Sequence, residues 1–156
     1  MKLGVYNIIN DPLPKLNKLK EFENKQEIFE YDDDIVSLMN RNLYIDKLSS
    51  EYIYAFGFTY AMKPKGIIYV SSGTCDGCQP NMRDLAIGLL LIGAEQFICF
   101  HNHPGGNKRI SKADINLSEE YRKVGDLIGI HFLKHIMITR GYYDYCEDKN
   151  NYLPFS

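Results

Sequence analysis

Residues 96–114 read QFICFHNHPGGNKRISKAD, and this stretch predicts a buried strand, a chain reversal and the start of a helix. The run at 96–101 is apolar without alternation, which is typical of a central strand covered on both faces. Pro104 disfavours helical geometry at the residue before it, and Gly105–Gly106 lets the chain reverse without a steric penalty. Ser111 then begins a helix, so the stretch is a strand-to-helix junction.

Two histidines and an aspartate in this stretch predict a catalytic zinc site. His101 and His103 are two residues apart on an extended backbone, so their side chains project from the same face. Ser111 and Asp114 have the spacing of a helix N-cap and its N3 residue, which holds Asp114 in the first turn, where it can face the histidines. S-x-x-D alone is an ordinary capping signal, and H-x-H alone is weak. Together they provide three ligands for one zinc ion per chain, and an open fourth position is typical of catalytic zinc.

The elements predicted around this junction interleave strands and helices. Residues 52–60 alternate large aromatic side chains with smaller residues, a period of two that indicates a strand with an aromatic core stripe. The interleaving predicts an α/β fold with a mixed sheet flanked by helices. The other predicted elements are a helix beginning at Asp32, a returning hairpin strand at 67–72, a helix from Pro80 to about Ala94, a helix from Ser111 to Gly129, and strands at 130–139 and 141–145.

Chain length and composition predict one globular domain. The 156 residues, 45% of them hydrophobic, suffice for one well-buried core but are few for two. Residues 1–31 show no sustained period, so we expect an N-terminal arm that is packed on the core or partly disordered. The domain is predicted over 32–148, with a C-terminal tail at 149–156.

Charge and cysteine content limit the binding partners and the cellular compartment that we expect. A net charge of −2 provides no general attraction to nucleic acid, and no clear nucleic-acid-binding patch is visible. The N-terminus does not resemble a signal peptide, and no apolar run approaches membrane-spanning length. The four cysteines are few for a disulfide framework. We therefore expect a cytoplasmic protein.

The segment 101–114 fits H-x-H-P-x(6)-S-x-x-D and resembles the signature of JAB/MPN/JAMM metalloproteases. The surroundings are most similar to the bacterial RadC branch, through VSSGT at 70–74, GIHFLKHIMIT at 129–139 and GYYDY at 141–145. The resemblance covers about residues 32–148. It implies a cytidine-deaminase-like fold, and zinc held by the two histidines and the aspartate of the motif.

The resemblance also implies two catalytic residues. A glutamate from an upstream strand acts as general base in this family, and Glu51 is the best match because it opens the first long strand after a helix. Strand parity places it with Ile53, off the aromatic face. The family further implies that Ser111 hydrogen-bonds the oxyanion. Its capping role follows from spacing alone, and one hydroxyl could not easily serve both roles at once.

These features predict a zinc-dependent hydrolase of amide bonds, a metallopeptidase or isopeptidase that uses zinc-activated water and acts on a peptide or protein. The alternative is a non-catalytic JAB-like binding or scaffold module associated with DNA repair or mobile-element systems. RadC-like proteins carry a helix-hairpin-helix module before this domain, and the 31 residues available here are too few for it. We therefore do not expect the DNA-repair role associated with RadC-like proteins to apply to this chain. The sequence leaves a homo-oligomer open.

Four further residues are candidates for a functional role. Cys75 and Cys78 form one CxxC, which without a second ligand pair predicts a turn with reduced thiols rather than a zinc or redox site. Cys99 predicts a buried strand thiol. RadC-like chains typically carry Asp-His where this chain has Lys134-His135, so a structural histidine is favoured at 135.

Overall fold

The computed structural model describes residues 1–73 and 80–148, which form a seven-stranded mixed sheet and three helices. Helix α1 covers one face of the sheet, and α2 and α3 cover the other. The predicted mixed sheet flanked by helices is therefore confirmed. In chain order the elements are β1 (Lys2–Asn10), β2 (Pro14–Glu23), α1 (Asp32–Leu43), β3 (Glu51–Phe58), β4 (Pro64–Gly73), α2 (Met82–Leu91), β5 (Gln96–Asn102), α3 (Lys112–Ile128), β6 (His131–Thr139) and β7 (Tyr142–Tyr145).

Strand β5 is central in the sheet order β2-β1-β4-β3-β5-β6-β7. It runs antiparallel to β3 and parallel to β6, and all seven of its residues are buried. Ile98 and Phe100 pack towards α1, whereas Phe97 and Cys99 pack towards α2 and α3. Because side chains alternate along a strand, His101 projects on the same side as Cys99. The end of β5 therefore presents His101 to the α2–α3 face.

Strand β3 has the predicted two-faced pattern. Tyr54, Phe56 and Phe58 join the cluster under α1, while Ile53 and Ala55 join the cluster under α2 and α3. The strand pairs antiparallel with both β4 and β5, so the predicted hairpin is present. The aromatic stripe is core packing, and the small-residue face is the one turned towards His101.

Residues 2–23 are more regular than the N-terminal arm, packed on the core or partly disordered, that the sequence predicted. They form a β-hairpin in which β1 also pairs parallel to β4, through Val5 opposite Ile67. Leu3, Val5 and Ile8 are buried, so the hairpin extends the sheet and is not a disordered arm. The pattern was hidden because β2 is an edge strand with mostly exposed, charged side chains. The division into arm, domain and tail stays a prediction.

Helices α2 and α3 begin and end at recognisable caps. Helix α2 begins two residues later than predicted, because the Asn81 side chain caps it by accepting a hydrogen bond from the backbone of Asp84, and it ends at Leu91, before the predicted Ala94. Helix α3 has Ser111 as N-cap, as predicted, and ends at Gly129 with φ 73°. No helix in residues 1–73 and 80–148 has the length and apolar character needed to cross a bilayer.

A glycine sets the depth at which α3 packs on the sheet. A Cβ at Gly125 would lie 2.5 Å from the backbone oxygen of Ile130 and 3.1 Å from Cε1 of Phe97. The first distance is too short for a side chain without movement of the backbone, and the second would require the Phe97 ring to shift slightly. The missing side chain lets the last turn of α3 approach the starts of β5 and β6 closely.

Candidate metal centre

The two histidines of the motif meet at the C-terminal end of β5. His101 is the penultimate residue of the strand, and His103 follows it, with its backbone N–H donating to the oxygen of Ile138 at 3.0 Å. This bond continues the pairing with β6, so the extended geometry persists through the pair. The Nε2 atoms of the two rings lie 3.1 Å apart. The shared face predicted from strand parity is therefore present.

Helix α3 brings the carboxylate of Asp114 to the same point. Ser111 and Asp114 form a reciprocal capping box: the Ser111 hydroxyl accepts from the Asp114 backbone at 3.1 Å, and Asp114 Oδ2 accepts from the Ser111 backbone at 2.9 Å. The box holds the carboxylate in the first turn. Asp114 Oδ1 lies 3.2 Å from His101 Nε2, and Oδ2 lies 3.4 Å from His103 Nε2.

The orientation of the His103 ring leaves one nitrogen for a ligand. Its Nδ1 lies 2.8 Å from the backbone oxygen of Asn107. A carbonyl oxygen only accepts, so Nδ1 carries the hydrogen and donates. In the neutral ring Nε2 then has a free lone pair, and it is Nε2 that faces His101 and Asp114. The loop after the glycines therefore reverses the chain and also accepts the hydrogen bond that orients the His103 ring.

The three predicted ligands fit zinc in chemistry and in spacing. Zinc binds imidazole nitrogen and carboxylate oxygen at about 2.0–2.2 Å, so the ligands of a tetrahedral ion lie about 3.3–3.5 Å apart. The separations of 3.1, 3.2 and 3.4 Å among His101, His103 and Asp114 lie close to this tetrahedral edge. Three ligands from the protein would leave one position open. Their assignment as zinc ligands stays a prediction.

The electrostatics couple the carboxylate to the histidines. Burial alone would raise the pKa of Asp114, but hydrogen bonds with His101 and His103 outweigh it and hold that pKa far below its usual range. In the metal-free chain the hydrogen bond to Asp114 raises the pKa of His103, although burial opposes it. Asp114 is therefore a carboxylate at neutral pH, as a ligand must be.

Glu51 begins β3 on the face that carries the histidines. Ile53 pairs with His101, and Glu51 lies two residues further along the same antiparallel pair, towards His103. It is about half-buried, and burial raises its pKa, while the nearby His101 and His103 oppose the rise. Among residues 1–73 and 80–148, no hydrogen bond or ion pair engages its carboxylate. The structure therefore brings Glu51 close to the three candidate ligands with its carboxylate unoccupied.

Asn102 ties the two strands of the site together. Asn102 is buried, and it lies between the two histidines in the sequence. Its side chain donates to the Ser50 oxygen at 3.0 Å and accepts from the Tyr52 backbone N–H at 2.7 Å. These two backbone groups flank Glu51. Asn102 thus clamps the backbone on either side of the candidate base. Sequence reasoning missed this residue, since nothing local in the chain indicates a contact across fifty positions.

Ser111 can cap α3 and still donate a hydrogen bond, so its two predicted roles are compatible. The cap uses the hydroxyl oxygen as an acceptor for the Asp114 backbone N–H. A serine hydroxyl has two acceptor lone pairs and one donor hydrogen. The hydrogen therefore remains available for donation while the cap is intact. Ser111 is exposed, so its hydroxyl can be reached from solvent.

His135 lies directly behind His101. Its Nε2 is 2.7 Å from His101 Nδ1, and its own Nδ1 is 2.9 Å from Ser118 Oγ. It is buried, and burial lowers its pKa well below the usual value. The histidine at 135 contacts a candidate ligand, a role that the Lys134-His135 comparison could not reveal.

A second group of potential ligands contains His101, His135 and Cys146, whose ligand atoms lie within 4.8 Å of one another. The 2.7 Å between the two ring nitrogens is a hydrogen-bond distance, well below the ligand separation of about 3.3 Å around zinc. Burial also raises the pKa of the Cys146 thiol, which disfavours the thiolate that metals bind. The group around Asp114 therefore fits zinc better.

Comparison with known proteins agrees with this architecture. A family model described as RadC-like JAB domain matches residues 29–150, well over half of the chain. The chain belongs to the RadC-like JAB domain family. The resemblance inferred from the motif is confirmed.

Relatives of this RadC-like JAB domain are UPF0758 proteins. The chain is 37% identical over 70 residues to one from Finegoldia magna, 32% over 91 residues to one from Clostridium tetani, and 28% over 144 residues to one from Fusobacterium nucleatum subsp. nucleatum. The alignments cover 45%, 58% and 87% of this chain, and 31%, 39% and 61% of the respective relatives. The chain thus spans under two thirds of the length of each.

Lys134 shows how this RadC-like JAB domain departs from the Asp-His pattern. Its side chain points to the α1 face, where its ammonium lies 3.0 Å from both carboxylate oxygens of Asp32. Asp32 also accepts a hydrogen bond from the Tyr145 hydroxyl. The acidic start of α1 is therefore tied to β6 and β7. The lysine plays no part in the candidate metal centre.

The cysteines that the sequence offered as candidates lie outside the candidate metal centre or outside the described residues. Cys99 is a buried free thiol in β5, as expected, and burial raises its pKa. Cys75 and Cys78 lie outside the described residues, so the turn predicted for them stays a prediction.

Proposed function

We propose that this protein is a zinc-dependent hydrolase of amide bonds, a metallopeptidase or isopeptidase that acts on a peptide or protein. The observation that supports it most is the convergence of His101 Nε2, His103 Nε2 and an Asp114 oxygen at separations of 3.1–3.4 Å. Glu51 lies nearby, and no residue in 1–73 or 80–148 forms a hydrogen bond or ion pair with its carboxylate. A binding module has no chemical need for a complete ligand set together with a candidate base. A cytoplasmic location remains our prediction.

Glu51 is suited to move a proton. Burial raises its pKa, so the carboxylate is a stronger base than an exposed glutamate and keeps an accepted proton for longer. Zinc, when bound, activates a water molecule and polarises the substrate carbonyl. Glu51 would accept a proton from water as the water oxygen bonds to the carbonyl carbon, and would deliver that proton to the amide nitrogen as the C–N bond breaks.

Ser111 and the exposure of the site account for the remaining steps. The Ser111 hydroxyl hydrogen, which the helix cap does not use, donates to the oxyanion as negative charge develops on the carbonyl oxygen. His101 is buried, whereas the side chains of His103 and Asp114 keep 16% and 10% of their exposure. A substrate therefore reaches the centre from the side of His103 and the loop that follows it.

The test is turnover of zinc-loaded protein on a panel of peptides and ubiquitin-like isopeptide conjugates. Glu51→Gln should lose activity by about 10²–10⁴-fold, the usual contribution of a general acid–base group, while still binding one zinc per chain. Glu27→Gln is the matched control, because Glu27 is exposed and remote from the site.

Two results would reject the proposal. One is full turnover in Glu51→Gln. The other is a zinc-loaded protein that cleaves no member of the panel, which would favour the binding or scaffold module that the sequence left open.

A further inference from the structure

A chain of buried polar groups runs from the candidate metal centre into the interior. His101 Nδ1 contacts His135 Nε2 at 2.7 Å, His135 Nδ1 contacts Ser118 Oγ at 2.9 Å, and Ser118 Oγ contacts the Cys146 backbone oxygen at 2.6 Å. The three side chains are 1%, 2% and 5% exposed, respectively. Solvent therefore does not provide alternative partners, and the hydrogen bonds among these groups determine where each hydrogen lies.

The carbonyl at the inner end sets the direction of the chain. Ser118 has one hydroxyl hydrogen, and its acceptors are the oxygens of Cys146 at 2.6 Å and Asp114 at 3.3 Å, both of which are backbone carbonyls. If the hydrogen pointed at His135 instead, two oxygen lone pairs would face each other at 2.6 Å. The hydroxyl therefore donates to a carbonyl, and it accepts from His135 Nδ1.

The direction then passes through the ring of His135. With its hydrogen on Nδ1, the ring offers Nε2 as an acceptor to His101. A second hydrogen on Nε2 would place a positive charge on a ring that is only 2% exposed. His101 Nδ1 is thus the donor of the 2.7 Å contact, which leaves the lone pair of His101 on Nε2.

We propose that His135 and Ser118 are positioning residues that hold His101 as the Nδ1–H tautomer, with its Nε2 lone pair aimed at the metal centre. The inference rests on the metal centre of the proposed function, but not on hydrolysis. His103 reaches the same tautomer by a different route, since its Nδ1 donates to the exposed loop oxygen of Asn107 at 2.8 Å. His103 is oriented by the backbone of a surface loop. His101 is oriented by two buried side chains, His135 and Ser118, the second of which belongs to α3.

The tautomer can be read directly by NMR. The chain has four histidines, so ¹⁵N-histidine labelling with long-range ¹H–¹⁵N correlation produces four ring patterns, which single substitutions assign. In zinc-loaded protein at about pH 8.5, well above the ordinary histidine pKa of about 6.5, we expect the hydrogen on Nδ1 in both His101 and His135. In zinc-loaded protein the shift of His101 Nε2 should change on metal binding. An Nε2–H tautomer in His101 or in His135 overturns the proposal.

Metal affinity provides the second measurement. Loss of an outer-shell partner typically weakens metal binding by about 10–100-fold. We expect His135→Leu to weaken zinc binding by about that factor in a chelator competition, and to alter the visible spectrum of the Co²⁺-loaded protein. His135→Gln should recover part of the loss, because its amide oxygen can still accept from His101. His131→Leu, in the same strand but exposed, is the matched control.

The outcomes separate this inference from the proposed function. Wild-type zinc affinity in His135→Leu overturns the inference. If His135→Leu does not fold, Ser118→Ala and the tautomers of the unaltered protein still decide it. A protein with the expected tautomers and zinc affinities that hydrolyses nothing rejects the proposed function and leaves the inference standing.

Discussion

The side chain of Asn102 accepts a hydrogen bond from the backbone N–H of Tyr52 at 2.7 Å. The same side chain donates to the oxygen of Ser50, so it spans the residue between them, Glu51. Asn102 is itself flanked by the two histidines of the candidate metal centre. One buried amide therefore sets the position of the candidate base relative to the candidate ligands, across two paired strands.

Removal of this amide should impair catalysis more than metal binding. Asn102→Ala leaves two backbone groups next to Glu51 without their partner, and we expect a loss of about 1–3 kcal/mol in the free energy of unfolding. Turnover should fall at unchanged zinc stoichiometry, measured by peptide cleavage and metal analysis. Asn10→Ala, at an exposed position in β1, is the control. Wild-type turnover in Asn102→Ala would show that the clamp does not matter.

Zinc should stabilise the folded chain. A ligand that binds only the native state at about 100 times its Kd adds about 2.7 kcal/mol to the free energy of unfolding. Urea unfolding over a zinc series measures this gain, and a chelator should reverse it. In Asp114→Asn the gain should shrink sharply, because an amide is a poor zinc ligand although it can still accept the capping bond.

The control for this substitution is Asp126→Asn, on the exposed side of the same helix. It should keep the full zinc-dependent gain. An equal gain in Asp114→Asn and in the unaltered protein would remove Asp114 from the ligand set.

Zinc affinity should increase with pH. The hydrogen bond with Asp114 raises the pKa of His103 above its ordinary 6.5 in the metal-free chain, and a proton on His103 competes with the metal. Below that raised pKa, each pH unit should weaken binding by up to about tenfold, as expected for release of one proton. Chelator competition from about pH 5.5 to 8.5 measures the slope.

The linked effect on stability has a definite sign. Because the folded pKa of His103 is raised, its own contribution to metal-free stability is present below about pH 6.5 and is lost as pH rises through the folded value. The gain from zinc should therefore be largest at the alkaline end. A zinc affinity that is constant over this range would contradict the assignment of His103 as a ligand.

The close packing of α3 should not tolerate a side chain at Gly125. Alanine has a higher helix propensity by about 1 kcal/mol, but its Cβ would lie 2.5 Å from the Ile130 backbone oxygen, which cannot rotate away. Overpacking of this kind costs about 1–3 kcal/mol. We expect Gly125→Ala to lower the free energy of unfolding, and to weaken zinc binding because the first turn of α3 carries Asp114.

Gly105→Ala is the matched substitution, since a Cβ there meets nothing within 4 Å. Its unfolding midpoint in urea should stay close to that of the unaltered protein. If Gly125→Ala were as stable as Gly105→Ala, the close approach of α3 to β6 would not depend on this glycine.

Sequence reasoning succeeded where the determining contacts are local. His101 and His103 share a face because strand side chains alternate, and Asp114 faces them because a capping box fixes the first turn of a helix. Glu51 could be named only through the family resemblance, which predicted an acid at the start of that strand. The N-terminal hairpin was missed because its edge strand is charged, so its alternation is weak.

The sequence by itself determined the strand-to-helix junction and the three candidate ligands, since these depend on backbone periodicities that act within four residues. Tertiary structure alone decided the partners of those ligands. His135 reaches His101 across 34 positions, Ser118 reaches His135 across 17, and Asn102 reaches Tyr52 across 50. Each contact depends on the pairing of β3 and β6 with β5 and on the depth of α3. These are set by packing of the whole core, and no local spacing in the chain encodes them.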